Sequence, residues 1–197
     1  MSTALSPSDK RQLLTLARQA LEAAVQGQRA PAVEATTLSP ALSQPGASFV
    51  TLTIENELRG CIGGLHAAKP LWEDVREHAA QAALNDFRFP PVSPAETARI
   101  EVEVSVLSEP EALEYTSAQD LVRRLRPNID GVILSQGFRR ATFLPQVWEH
   151  VPQPERFLSM LCEKMGVAPE TWRHGKLTVQ TYQVEKFTEK DIESMRD

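Results

Sequence analysis

Arg59 and Cys61 stand one residue apart in the stretch Leu58-Arg59-Gly60-Cys61-Ile62-Gly63-Gly64, and this pair offers the most local chemistry in the chain. A thiolate attacks carbon, sulfur or a metal, and a nearby guanidinium favours thiolate over thiol. Arginine is always charged, presents a planar fork of donors, and is costly to bury without a carboxylate or phosphate opposite. Cys61 therefore reads in two ways. It is a nucleophile, with Arg59 stabilising the thiolate or a substrate oxyanion, or it is a small inert side chain packed between layers. The burial habit of free cysteine favours the second reading. Sequence couples no histidine to it; His66 and His78 are the nearest. Arg59 reads as paired or ligand-facing, or as a surface arginine whose stem covers apolar surface. Its glycine neighbours Gly60 and Gly63 favour the first, since they strip bulk and admit a close approach by backbone or ligand.

A second group lies downstream. Asp86 falls near the carboxyl end of an expected helix, where the helix dipole disfavours an anion. Arg59 or Arg88 could compensate it, or it is a solvated turn aspartate. Asp86-Phe87-Arg88-Phe89-Pro90-Pro91 mixes charge, aromatic rings and a stiff proline step, which suits a pocket wall or a docking segment. The same residues could equally pin the connection to the core. Cys162 is simpler: Leu158, Leu161, Cys162 and Met165 recur at helical spacing, so it belongs to a core stripe. The clusters Arg123-Arg124-Leu125-Arg126 and Arg139-Arg140 lack interleaved aromatics and read as solvated faces. No Gly-x-Gly-x-x-Gly or phosphate-loop spacing is present, and four scattered histidines give no zinc-ligand pattern. The expectation is no metal and no cofactor.

These residues need elements to position them. Ser6-Pro7-Ser8-Asp9 reads as a helix start, and Leu13, Leu14, Ala17, Ala20, Leu21 and Ala24 carry a helix towards Gly27. Residues 28–46, with Pro31, Pro40 and Pro45, read as loop. Phe49-Val50-Thr51-Leu52-Thr53-Ile54 alternates as a strand, turns at Glu55-Asn56-Glu57, and returns through residues 58–63. Parity puts Leu58, Gly60 and Ile62 on the core face, and Arg59 and Cys61 together on the other. Leu71, Val75, His78, Ala79, Ala82 and Ala83 form a second helix stripe, and Arg99 to Val106 a strand. A short helix near Asp120–Leu125, a hairpin over residues 131–144, a helix over Glu155–Met165 and a strand from Leu177 to about Phe187 complete the chain. The order hairpin, helix, strand thus occurs twice, and superposing the hairpins sets Arg140 on Arg59 and Thr142 on Cys61. The expectation is one α+β domain over 1–197, with related lobes of about 1–108 and 109–197 around mixed or antiparallel sheet.

The chain resembles the AMMECR domain family. The resemblance rests on Leu58-Arg59-Gly60-Cys61-Ile62-Gly63, Arg88-Phe89-Pro90-Pro91-Val92, Ser105-Val106-Leu107-Ser108, Gly131-Val132-Ile133-Leu134, Ala141-Thr142-Phe143-Leu144-Pro145-Gln146-Val147 and Phe157-Leu158, spread over nearly the whole chain. It implies an α+β fold of two related halves. It also implies that the Arg-Gly-Cys-Ile-Gly and Arg-Phe-Pro-Pro segments meet in one site, formed by Arg59, Gly60, Cys61, Gly63, Asp86, Arg88, Phe89 and Pro90. Prokaryotic members are commonly grouped with Memo-like proteins and radical SAM enzymes, which makes those the partners the resemblance implies.

At 197 residues, 42% hydrophobic and 24% charged, the composition is that of a globular protein, and the net charge of −5 argues against broad attraction to nucleic acid or acidic membranes. No apolar run reaches membrane-spanning length, and no secretory signal is visible at the N-terminus. Two cysteines of unlike context suit reduced thiols in the cytoplasm. The expected function is a cytosolic component that binds a partner or a small anionic ligand; the alternative is a cysteine-dependent enzyme using Cys61.

Overall fold

The computed structural model describes residues 5–174 and 176–194. The chain divides into two compact units: one runs to Leu107 and resumes at Glu185, and the other spans Ser108–Val184. Helix α1 (Pro7–Val25) opens the first unit behind the capping box expected of Ser6 and Asp9. After α2 (Pro40–Ser43) come β1 (Pro45–Ile54), β2 (Glu57–Gly63), β3 (Lys69–Pro70), α3 (Leu71–Leu84) and β4 (Glu101–Leu107). The sequence predicts no regular element over residues 28–46. The short α2 forms nonetheless, because Pro40 occupies the first helical turn, where its missing N–H costs nothing.

The strand order is β2-β1-β4-β9, where β9 is Val184–Thr188, and β1 pairs antiparallel with β2, with β4 and, at its start, with β3. The last strand is therefore not the single run from Leu177 to Phe187 that alternation predicts. It breaks at Gln183, and its second half joins the first unit, moving the expected lobe boundary. Helix α7 (Glu189–Ser194) fixes that return: Glu189 forms an ion pair with Arg18 of α1 and accepts the Val102 N–H at 2.9 Å. The core lies between the sheet and the two long helices, with Leu13, Ala17 and Leu21 of α1, Val75, Ala79 and Ala82 of α3, Val50, Leu52, Val102 and Val104 of the sheet, and Phe187.

The second unit contains β5 (Glu111–Ala112), α4 (Ala118–Arg124), β6 (Gly131–Gln136), β7 (Arg139–Phe143), α5 (Pro154–Lys164), α6 (Thr171–His174) and β8 (Thr178–Tyr182). Its sheet order is β5-β8-β6-β7, all antiparallel, so β7 is an edge. Leu158, Leu161 and Cys162 of α5 are fully buried against Val132, Leu134 and Trp148, placing Cys162 in the core as its helical spacing predicts. The molecule is α+β throughout. Among the described residues no helix is long and apolar enough to cross a membrane.

Candidate functional site

The β1–β2 turn closes on Glu55 and Asn56, both in the left-handed region at φ 54° and 68°. Such a two-residue turn matches the right-handed twist of the strands it joins. The returning strand then slips. Leu52 pairs with Gly60 but Thr53 pairs with Leu58, so Arg59 is the extra residue of a β-bulge. This overturns the parity expected for Leu58. Beyond the bulge every side chain changes face, and Leu58 is 42% exposed instead of joining the core. Alternation cannot reveal a bulge, because the inserted residue is visible only in the pairing.

The bulge also redirects Arg59. Its Nε donates to Glu96 Oε1 at 2.7 Å and its Nη2 to Glu96 Oε2 at 3.2 Å and to the Pro91 carbonyl at 3.3 Å. Arg59 is paired, as its surroundings predict, but with a residue the sequence reading missed. The signal was present: Ser93-Pro94-Ala95-Glu96 has capping-box spacing, and Glu96 Oε2 accepts both the Ser93 N–H and its hydroxyl at 2.8 Å. The Arg59 hydrogen bonds, followed by those from Ser93, hold the Glu96 carboxyl down at about 2.

Asp86 and Arg88 act on Cys61 through its backbone. β2 is the edge of its sheet, so alternate N–H and C=O groups point away from β1 without a strand to meet them. At Cys61 two side chains take that place. Asp86 Oδ2 accepts the Cys61 N–H at 2.8 Å, and Arg88 Nη2 donates to the Cys61 carbonyl at 3.2 Å. The two side chains bind each other as well, Nε to Oδ1 at 2.9 Å and Nη2 to Oδ2 at 2.7 Å. Asp86 is buried, and the Arg88 hydrogen bonds hold its carboxyl well below the usual carboxylate range despite the opposing effect of burial. Of the two arginines considered for Asp86, it is Arg88 that pairs with it. Arg88 is also the guanidinium that reaches residue 61, while Arg59 is turned to Glu96.

The glycines serve packing. A Cβ on Gly60 would lie 2.2 Å from the Ala82 carbonyl oxygen of α3, and one on Gly63 would lie 2.3 Å from the Phe49 ring. Helix α3 thus sits directly on β2, which delivers Asp86, just past its end, to the strand edge. Phe89 is half-buried with the Arg88 guanidinium 5.6 Å from its ring centre, and Pro90 is exposed. Phe87 is 94% exposed and does not pin the connection to the core.

Cys61 is half-exposed, and the Thr51 hydroxyl directly across the ladder donates to its Sγ at 3.3 Å. His78 is not its base. Nδ1 of His78 lies 3.2 Å from Asp74 Oδ2 and 3.3 Å from the Ser48 hydroxyl, which itself donates to Asp74 at 2.7 Å. Ser48 precedes Thr51 by three residues and so belongs to the opposite face of β1. The buried Asp74 falls outside the α3 stripe expected from sequence, which holds His78 but not the carboxylate one turn before it. His66 is exposed. Among the described residues no group of three or more His, Cys, Asp or Glu could hold a metal ion.

The AMMECR1 family model matches residues 14–187. The chain belongs to the AMMECR1 family. A protein of Thermofilum pendens is 36% identical over 94% of this chain and 92% of its own length. One of Methanothermobacter thermautotrophicus is 37% identical over 94% and 96%. The crystal structure of an uncharacterised protein from Pyrococcus horikoshii matches with a TM-score of 0.79 at 33% identity, covering 90% of this chain and 89% of that one. The α+β fold implied by the first motifs is therefore that of the AMMECR1 family.

Proposed function

We propose that this AMMECR1-family chain is a binding component, cytoplasmic in location, whose contact site is built on Arg59, Cys61, Asp86, Arg88, Phe89 and Pro90, and that its partners are Memo-like or radical SAM proteins. The observation carrying the proposal is the replacement of a neighbouring strand by the Asp86–Arg88 pair. A buried carboxylate and a guanidinium hold the Cys61 backbone at both ends and fix the segment from Asp86 to Pro91 as a preorganised surface. Both guanidinium groups already face carboxylates, which favours a protein segment over a small anion as the bound species. The nucleophile reading of Cys61 has less support. Its sulfur meets the Thr51 hydroxyl, while His78 is held by Asp74 and Ser48.

Calorimetric titration with a purified Memo-like protein and a radical SAM protein of the same organism tests this reading. Arg59→Ala should weaken binding about tenfold by freeing Glu96 and the Pro91 carbonyl, whereas Cys61→Ser should leave affinity within about twofold. Loss of a measured turnover on Cys61→Ser alone, with binding intact, would instead establish the enzyme reading.

A further inference from the structure

Phe87 is exposed to 94%, yet its neighbours are fixed. On one side, the Asp86 carboxylate is tied to Cys61 and Arg88. On the other, the Phe89 N–H donates to the Asp86 carbonyl at 3.0 Å, and the Val92 N–H donates to the Ala83 carbonyl at 2.8 Å with Val92 itself buried. The ring therefore stands on an ordered turn, with no packing of its own to explain it. A rigid aromatic loses little conformational freedom on binding, which makes it an efficient interface anchor.

Its surroundings specify what it meets. The Asp86 side chain is 2% exposed and that of Arg88 46%, so the pair turns only its cationic member outward. Pro90 and Pro91 are exposed beside it, and the Arg59–Pro91 hydrogen bond joins this segment to β2 next to the exposed Leu58. Leu58, Phe87, Pro90 and Pro91 are thus exposed apolar groups on these two segments, with the paired Arg88 guanidinium among them, on a chain of net charge −5 that does not favour nucleic acid or an acidic membrane. We infer that Phe87 is the anchor of a protein-docking surface, inserting into an apolar pocket of the partner bordered by a backbone carbonyl that accepts from the exposed, already paired Arg88 guanidinium. This rests on the partner-binding reading and moves its energetic centre: Asp86, Arg88 and Arg59 form the pedestal, and Phe87 makes the contact.

The same two purified proteins serve as probes. Phe87→Ala should weaken binding about thirty-fold, as the loss of a central aromatic anchor does. The unfolding midpoint should not move, since the ring is not packed. Phe138, 110% exposed on the β6–β7 turn, is the control, and Phe138→Ala should stay within about twofold of the unaltered chain. Wild-type affinity in Phe87→Ala alongside lost affinity in Arg59→Ala would overturn the anchor and leave the binding reading standing. Equal losses in Phe87→Ala and Phe138→Ala would also overturn it, as non-specific hydrophobic contact. Failure of the unaltered chain to bind either probe would remove both proposals.

Discussion

The hairpins of the two units meet the same difficulty with different means. In each, the second strand is a sheet edge whose outward carbonyl is capped by a cation from beyond or near the end of the following helix. Arg88 reaches the Cys61 carbonyl, and Lys164 reaches the Thr142 carbonyl at 3.0 Å. The hairpin superposition drawn from sequence sets these two positions on each other. The first cation is clamped by a buried carboxylate that also takes the strand N–H; the second is a flexible ammonium 5.0 Å from the Phe143 ring centre. At the preceding position the first strand has Gly60, pressed on the α3 backbone, and the second has the buried methyl of Ala141. Capping an edge therefore takes one cation, but holding an exposed segment rigid takes a paired cation and a helix close enough to deliver its partner. Among the described residues, only the β2 edge of these two has both.

The sharpest contrast lies in the two thiols. Cys61 is half-exposed and should alkylate in the native protein. Cys162 is fully buried, burial pushes its thiol pKa up, and its reaction must wait for unfolding. Native-state alkylation followed by mass spectrometry should give rates differing by a factor of at least about a thousand. Comparable rates would mean that the second core opens locally.

Asp86→Ala should cost about 3 kcal/mol in urea unfolding, because it strands both the Cys61 N–H and Arg88. Lys164→Met, which removes one exposed hydrogen bond, should cost less than about 1 kcal/mol. Equal costs would show that the carboxylate adds nothing to the cap. Gly60→Ala should destabilise by about 2 kcal/mol by thermal unfolding, since the new methyl meets a backbone oxygen that cannot swing aside.

The smallest effect is a titration. The Glu96 carboxyl is lowered from an ordinary 4.5 to about 2 by Arg59, so its contribution to stability is present above 4.5 and is lost as pH falls towards 2. The Asp86 carboxyl is also held well below the usual carboxylate range, and its contacts to Arg88 are 2.9 and 2.7 Å where those of Glu96 to Arg59 are 2.7 and 3.2 Å, so the Arg59 pair should release before the Arg88 pair. Carboxyl chemical shifts followed by NMR would show the order, and reversal would place the stronger pair at the bulge.

Much of this was legible beforehand. Ser6 with Asp9, the α1 and α3 stripes, the β4 alternation and the core position of Cys162 follow from local rules of capping and period. The meeting of the Arg59–Cys61 and Asp86–Pro91 segments was implied by family motifs. The core face expected for Leu58 is wrong, and Glu96, the buried Asp74 and the strand break at Gln183 are not legible from spacing. Each depends on what lies across a ladder or across a helix–sheet contact, and residue spacing carries little of that information.

Sequence alone determined which stretches are helix or strand and which residues could react, because periodicity and residue chemistry are properties of the local chain. Tertiary structure decided which arginine belongs to which carboxylate. It turned Leu58 and Phe87 outward and put His78 out of reach of Cys61. A single bulge and the seating of α3 on Gly60 set those outcomes, and both are fixed by long-range pairing that no short window of sequence contains.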